Sequence, residues 1–276
     1  MKTGFSTNAF TRFSLFDAIE TIADIGYEGI EIVVDEPHAF LPLTNNERKK
    51  IWNLLNEKEL SVSNLNANTV IGWHSENKIK EKFEPSLSNI NESLRKWRIN
   101  YTKKAIDMAN ELNAPSVCVT SGIKNNERFE MEIKLFEESL FEVLEYAEKS
   151  HVKIGIEYEP DLLIENSESV FELSEEFDNL GLNLDTCHVE VCNEDFSEII
   201  QKFRSKIIHT HVSDCTDGKH YHLIPGHGEI DFTNIVKQLS EINYDGFLTA
   251  ELYTYSNKPK EAASETFIFL KNLNIN

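Results

Sequence analysis

Residues 181–214 read GLNLDTCHVEVCNEDFSEIIQKFRSKIIHTHVSD, and the fold follows from that stretch. It opens on an aliphatic run, Gly181–Cys187, passes through a segment of helical period, Phe196–Phe203, and closes on a second aliphatic run, Ile207–Asp214. Near-continuous apolar runs mark strands buried on both faces, and a helix between two of them makes the pair parallel, since only a crossover returns the chain to the same direction. Ligand-type side chains stand at the ends of both runs: Asp185 and His188 at the first, His209, His211 and Asp214 at the second.

The same alternation extends in both directions. Strands are expected at Thr3–Phe10, Gly29–Val34, Leu60–Asn66, Ser116–Ser121, Lys153–Glu159 and Gly246–Leu252 as well. Helices are expected at Leu15–Ile25, Asn45–Glu59, Ile90–Leu112, Phe129–Ser150, Ser169–Phe177, Phe232–Ile242 and Lys260–Leu273, with Ser167 or Asp195 as an N-cap and Gly26 as a left-handed C-cap. That makes eight βα units of about 34 residues each, the usual size in an eight-stranded barrel. An open doubly wound sheet shares the alternation, but its glycine-rich turn after the first strand is replaced by Phe10-Thr11-Arg12-Phe13. The expected fold class is therefore α/β, a single (β/α)8 TIM barrel, with residues 1–276 as one domain because no linker divides them.

Charge narrows the function classes. The 47 acidic residues outnumber the 27 basic ones for a net charge of −20, which repels nucleic-acid phosphates and anionic lipid. Basic clusters such as Arg48-Lys49-Lys50 read as solvated helix faces. No apolar run approaches the roughly 20 residues that span a bilayer, and MKTGFSTNAF lacks the features of a signal peptide, so a cytoplasmic location is expected. The four cysteines, Cys118, Cys187, Cys192 and Cys215, show no C-x-x-C spacing and are expected as reduced, mostly packing residues.

Six of the nine histidines fall between residues 188 and 227: His188, His209, His211, His220, His222 and His227. Barrel active sites are built at the C-terminal ends of the strands, and four successive strands end there on Glu157, Asp185, His211 and Glu251. Three carboxylates pointing into one mouth repel each other, and burial is costly for each. One divalent cation resolves both problems, and three carboxylates with one imidazole suit Mn²⁺, Mg²⁺ or Co²⁺, with Zn²⁺ also compatible. Beyond this ring, His188 either touches substrate or caps the following turn, and Glu159 faces either the pocket mouth or solvent. His209, one residue pair deeper than His211, is expected to pack behind the ring, and His220 and His227 are expected in an exposed loop. Gly226 and Gly228 in that loop allow close approach of backbone to a ligand. Asn8, Asn64, Asn66 and Thr120 are polar candidates for a pocket wall, and Trp73, Tyr253 and Tyr255 are aromatic ones.

Ile156-Glu157, Leu184-Asp-Thr-Cys-His188, His209-Thr-His-Val-Ser-Asp214, Pro225-Gly-His-Gly-Glu-Ile-Asp-Phe232 and Ala250-Glu-Leu-Tyr253, in that order and spacing, resemble the sugar phosphate isomerase/epimerase family. These are xylose isomerase-like TIM barrels, with inosose isomerase-like and ketose 3-epimerase members and, more distantly, endonuclease IV. The resemblance spans almost the whole chain. It implies metal ligation by Glu157, Asp185, His211 and Glu251, and acid/base roles for Glu157 and Glu251 on opposite faces of the reacting carbon. It also implies a substrate contact, with a part in catalysis, for His188; Glu159 and His222 are further substrate-contact candidates. The implied chemistry is isomerisation or epimerisation of a sugar, sugar phosphate or cyclitol ketone by proton transfer through an enediolate, with no organic cofactor. The alternatives are a dehydratase on the same barrel and, more remotely, an endonuclease IV-like phosphodiesterase. His188 and His222 resemble ligands of that enzyme's third zinc, but His220 stands where it has aspartate, and histidines for its other zinc ions are out of register. Oligomeric state stays open, a homo-oligomer included.

Overall fold

The structure is a computed structural model and describes residues 1–77 and 81–273. In chain order its strands are Lys2–Ser6 (β1), Gly29–Val33 (β2), Ser61–Asn66 (β3), Ser116–Val119 (β4), Lys153–Ile156 (β5), Leu180–Asp185 (β6), Ile207–Val212 (β7), Asp214–Thr216 (β8), Lys219–Leu223 (β9) and Phe247–Ala250 (β10). All but β8 and β9 are parallel and close into one barrel, ordered β1, β10, β7, β6, β5, β4, β3, β2. The (β/α)8 TIM barrel expected from the alternation is thus the fold. Among the described residues, no helix is long and apolar enough to cross a membrane.

Local chemistry sets the element ends. Helix Leu15–Ile25 starts on a capping box in which Ser14 and Asp17 satisfy each other's backbone N–H groups, and it stops at Gly26, whose φ of 108° only glycine adopts without strain. Asp195 caps helix Phe196–Phe203 as expected, but helix Ser167–Glu175 is capped by Asn166, whose side chain accepts from the Ser169 N–H. The expected Ser167 cap is therefore off by one residue, because Asn166 is the one with extended backbone.

Most expected strands end a few residues early, and two of these differences shape the site. The run expected at Thr3–Phe10 is a strand only to Ser6 and then a 3-10 turn, Thr7–Phe10. The run expected at Gly181–Cys187 stops at Asp185, where a short helix, Thr186–Val191, begins. Asp185 Oδ1 caps that helix, accepting from the N–H groups of Cys187 at 2.7 Å and His188 at 3.0 Å. Apolar periodicity cannot tell a strand end from a helical turn when both are buried.

The segment after β7 is also more ordered than a loop. β8 and β9 pair as an antiparallel hairpin. The remainder, residues 224–231, wraps the buried carboxylate of Asp214, which accepts N–H bonds from Gly226 and Gly228 at 2.8 Å, Cys215 at 2.9 Å and Ile230 at 3.2 Å. The expectation that Gly226 and Gly228 admit a ligand is corrected here. Their amides are taken by Asp214, and a Cβ on Gly228 would stand 2.2 Å from the Cys215 carbonyl oxygen. Asp214→Ala leaves four amide donors without their acceptor and is expected to cost about 3 kcal/mol, read as a lower urea midpoint at unchanged slope. An unchanged midpoint would remove Asp214 from its role in holding this segment.

Candidate metal centre and substrate cavity

The four strand-end residues converge. Glu157 follows β5 directly, Asp185 is the last residue of β6, His211 lies opposite it in β7, and Glu251 follows β10. His211 Nδ1 stands 3.0 Å from Glu157 Oε1, 3.7 Å from Glu251 Oε2 and 3.9 Å from Asp185 Oδ2. One ligand atom from each of the four lies within 4.8 Å of the others, and all four side chains are buried.

Electrostatics shows what such a ring lacks. Burial pushes the Asp185 and Glu251 carboxyls above their usual range, and the charge on Glu157 adds to it. Burial acts the same way on Glu157, but the charge and hydrogen bond of His211 hold that carboxyl down at about 2. One imidazole, lowered by burial but held well above its usual range by Glu31, Glu251 and Glu157, therefore faces three buried carboxyl groups, and Asp185 Oδ2 has no hydrogen-bond partner. An unpaired buried carboxylate oxygen turned into a ring of three oxygens and a nitrogen is a donor set that fits a divalent cation.

Above the ring lies a cavity of about 270 Å³, walled by Asn8, Asn66, Asn68, Lys82, Glu159, His188, His220, His222 and Tyr253 among others. Glu157 and Glu251 form its floor, and each is held by an asparagine. Asn68 Nδ2 donates to Glu157 Oε2 at 2.5 Å, and Asn66 Nδ2 donates to Glu251 Oε1 at 3.3 Å. A buried Arg98 donates to the carbonyl oxygens of Ala67 and Asn68, fixing the turn that carries Asn68.

Three imidazoles line one side of the cavity. His188 Nε2 is 2.9 Å from His220 Nε2, which is 2.5 Å from His222 Nε2. Burial depresses His188 to about 3 and His222 to about 4, so both rings are neutral near pH 7 and can donate or accept a hydrogen bond. Burial raises the Glu159 carboxyl to about 7. Of the expected substrate contacts, His188, Glu159 and His222 all reach the cavity. His220 is a correction: it was expected in an exposed loop, yet the hairpin folds it inward between the other two imidazoles, its side chain 25% exposed. His227 is exposed as expected and pairs with Glu265 at 2.7 Å. Trp73 packs on Trp97 at 5.7 Å between ring centres rather than on the cavity, and the Tyr255 hydroxyl accepts the Ile224 N–H. All four cysteines are free thiols, and Cys118 places its sulfur 3.4 Å from Glu157 Oε2.

Sequence reasoning passed over Asn68 and Glu31. Nothing marks Asn68, since an asparagine in a turn is ordinary. Glu31 did carry a signal, a lone carboxylate within the aliphatic run Gly29–Val34.

Residues 19–273 match the family model described as a xylose isomerase-like TIM barrel. The chain belongs to that family. A fructoselysine 3-epimerase of Shigella flexneri is 27% identical to this xylose isomerase-like barrel over 268 residues, covering 94% of this chain and 93% of that protein. The crystal structure of a D-tagatose 3-epimerase-like protein superposes with a TM-score of 0.79 at 26% identity, covering 99% of both chains. The IOLI protein, solved with a zinc atom, has the same fold, with a TM-score of 0.82 at 21% identity and coverage of 99% of this chain and 98% of that one.

Proposed function

We propose that the chain is a sugar epimerase or isomerase that works with one divalent cation held by Glu157, Asp185, His211 and Glu251. The observation that carries this reading is the buried ring itself, opened on one side to a cavity of about 270 Å³ whose floor is two carboxylates from non-adjacent strands. The 27% identity to a fructoselysine 3-epimerase over nearly the whole chain supports a ketose-like substrate. The reading extends to one barrel domain acting in the cytoplasm on a small polar molecule.

When bound, the cation polarises the substrate carbonyl and offsets the negative charge that develops there. The chain's own residues do the rest. Glu157 or Glu251 removes the proton on the carbon beside the carbonyl, and the other returns one to the opposite face, inverting that centre through an enediolate. Asn68 and Asn66 hold the two carboxylates in place, since each donates to one oxygen. Neutral His188 and His222, with Glu159 nearby, bond substrate hydroxyls without adding charge to the cavity.

The test combines metal analysis of the purified protein with a screen of ketoses, their phosphates and inososes in deuterated water. The expected result is about one divalent ion per chain and an epimer or isomer deuterated at the carbon beside the carbonyl. A product with a new double bond would assign a dehydratase instead. An ion-loaded protein that exchanges no carbon-bound proton in any of these compounds would overturn the reading.

A further inference from the structure

Glu31 is fully buried in β2, on the side of His211 away from the ring. Its Oε2 lies 2.6 Å from His211 Nε2, while the other ring nitrogen, Nδ1, is the one that faces Glu157, Asp185 and Glu251. A carboxylate oxygen at 2.6 Å from a ring nitrogen requires a hydrogen on that nitrogen, because two lone pairs at that distance repel. Glu31 is itself fixed from behind. Asn64 donates its Nδ2 to the same Oε2 at 2.8 Å, an amide orientation that the acceptor-only carboxylate fixes, and its oxygen accepts from the Ser116 hydroxyl at 2.7 Å. The chain Ser116, Asn64, Glu31, His211 thus runs across four barrel strands and ends at the ring.

We propose that Glu31 is a positioning residue that keeps the hydrogen of His211 on Nε2, so that the ring holds its cation through Nδ1 of His211. The inference rests on the metal-centre reading above and adds to it which nitrogen binds and what orients it. A carboxylate behind a ligating imidazole fixes the ring's rotation and tautomer and raises its basicity, and losing such a partner typically weakens metal binding 10- to 100-fold. The geometry offers one rival. Glu31, His209 and His211 also place ligand atoms within 4.8 Å of one another, so the same carboxylate could instead ligate a second ion below the ring.

The experiment is Mn²⁺ titration of the wild type, Glu31→Ala and Asp185→Ala, with NMR of histidine-nitrogen-labelled wild type loaded with a magnetically active cadmium isotope. The expected result is one Mn²⁺ per wild-type chain, bound about 10- to 100-fold more weakly by Glu31→Ala, and cadmium coupling to Nδ1 of His211 with a hydrogen retained on Nε2. Coupling to Nε2 would overturn the proposal in the unaltered protein, whatever the variants do. So would Mn²⁺ binding by Glu31→Ala within about twofold of wild type, or two ions in the wild type falling to one in Glu31→Ala. If the wild type binds no ion, or Asp185→Ala binds as the wild type does, the metal-centre reading itself fails; if only the Glu31 arm fails, that reading stands.

Discussion

Glu251→Gln is expected to lower turnover by about 10²- to 10⁴-fold, the usual contribution of a positioned acid or base, and to abolish exchange of the substrate's carbon-bound proton with solvent deuterium. Glutamine keeps the shape and one oxygen for the cation but cannot carry the proton. Glu251 suits such a test because it stands on the floor of the cavity with only one of its oxygens held, by Asn66 at 3.3 Å. Glu157→Gln is expected to abolish exchange as well and to weaken the cation, because Glu157 Oε1 lies 3.0 Å from His211 Nδ1 within the ring. The two variants together separate the acid/base role from ligation: exchange by mass spectrometry reads the first, and metal content reads the second. Undiminished exchange in both would sink the assignment of these two glutamates.

Stripping the protein of divalent ions is expected to lower its melting temperature by about 8 °C, because an ion present at about a thousand times its dissociation constant stabilises the native state by about 4 kcal/mol and each kcal/mol moves a domain of this size by about 2 °C. In the ring Asp185 Oδ2 is buried without a hydrogen-bond partner, and burial and the charge on Glu157 push the Asp185 and Glu251 carboxyls upward, a cost that a cation would offset. Asp185→Ala is expected to melt at the same temperature with or without Mn²⁺, since it removes that oxygen from the ring, and to melt below the wild type in both, since it also removes the Oδ1 that caps the following helix. Calorimetry with chelator, and then with Mn²⁺, Co²⁺, Mg²⁺ and Zn²⁺ in turn, measures the shift and ranks the ions. A wild type whose melting point ignores every one of them holds no ion in this ring.

The barrel and its ring of ligand-type residues were legible in the sequence for a single reason. A parallel strand buried on both faces reads as an unbroken apolar run, and ligand-type residues at its C-terminal end mark where the strand meets the mouth. Glu157, Asp185, His211 and Glu251 could be named from that alone, and the structure brings their ligand atoms together. What the sequence could not decide is whatever depends on contacts between distant segments. His220 looked like any loop histidine until the β8–β9 hairpin turned it between His188 and His222, and Gly226 and Gly228 looked like ligand-binding glycines until Asp214 took their amides. Asn68 joined the site only through an arginine in a helix about 30 residues further on, and Glu31 faced His211 across 180 residues of chain. Period and composition report which side of a strand is buried. The partner each buried polar atom finds there is set by how the strands close on one another, and that only the tertiary structure decides.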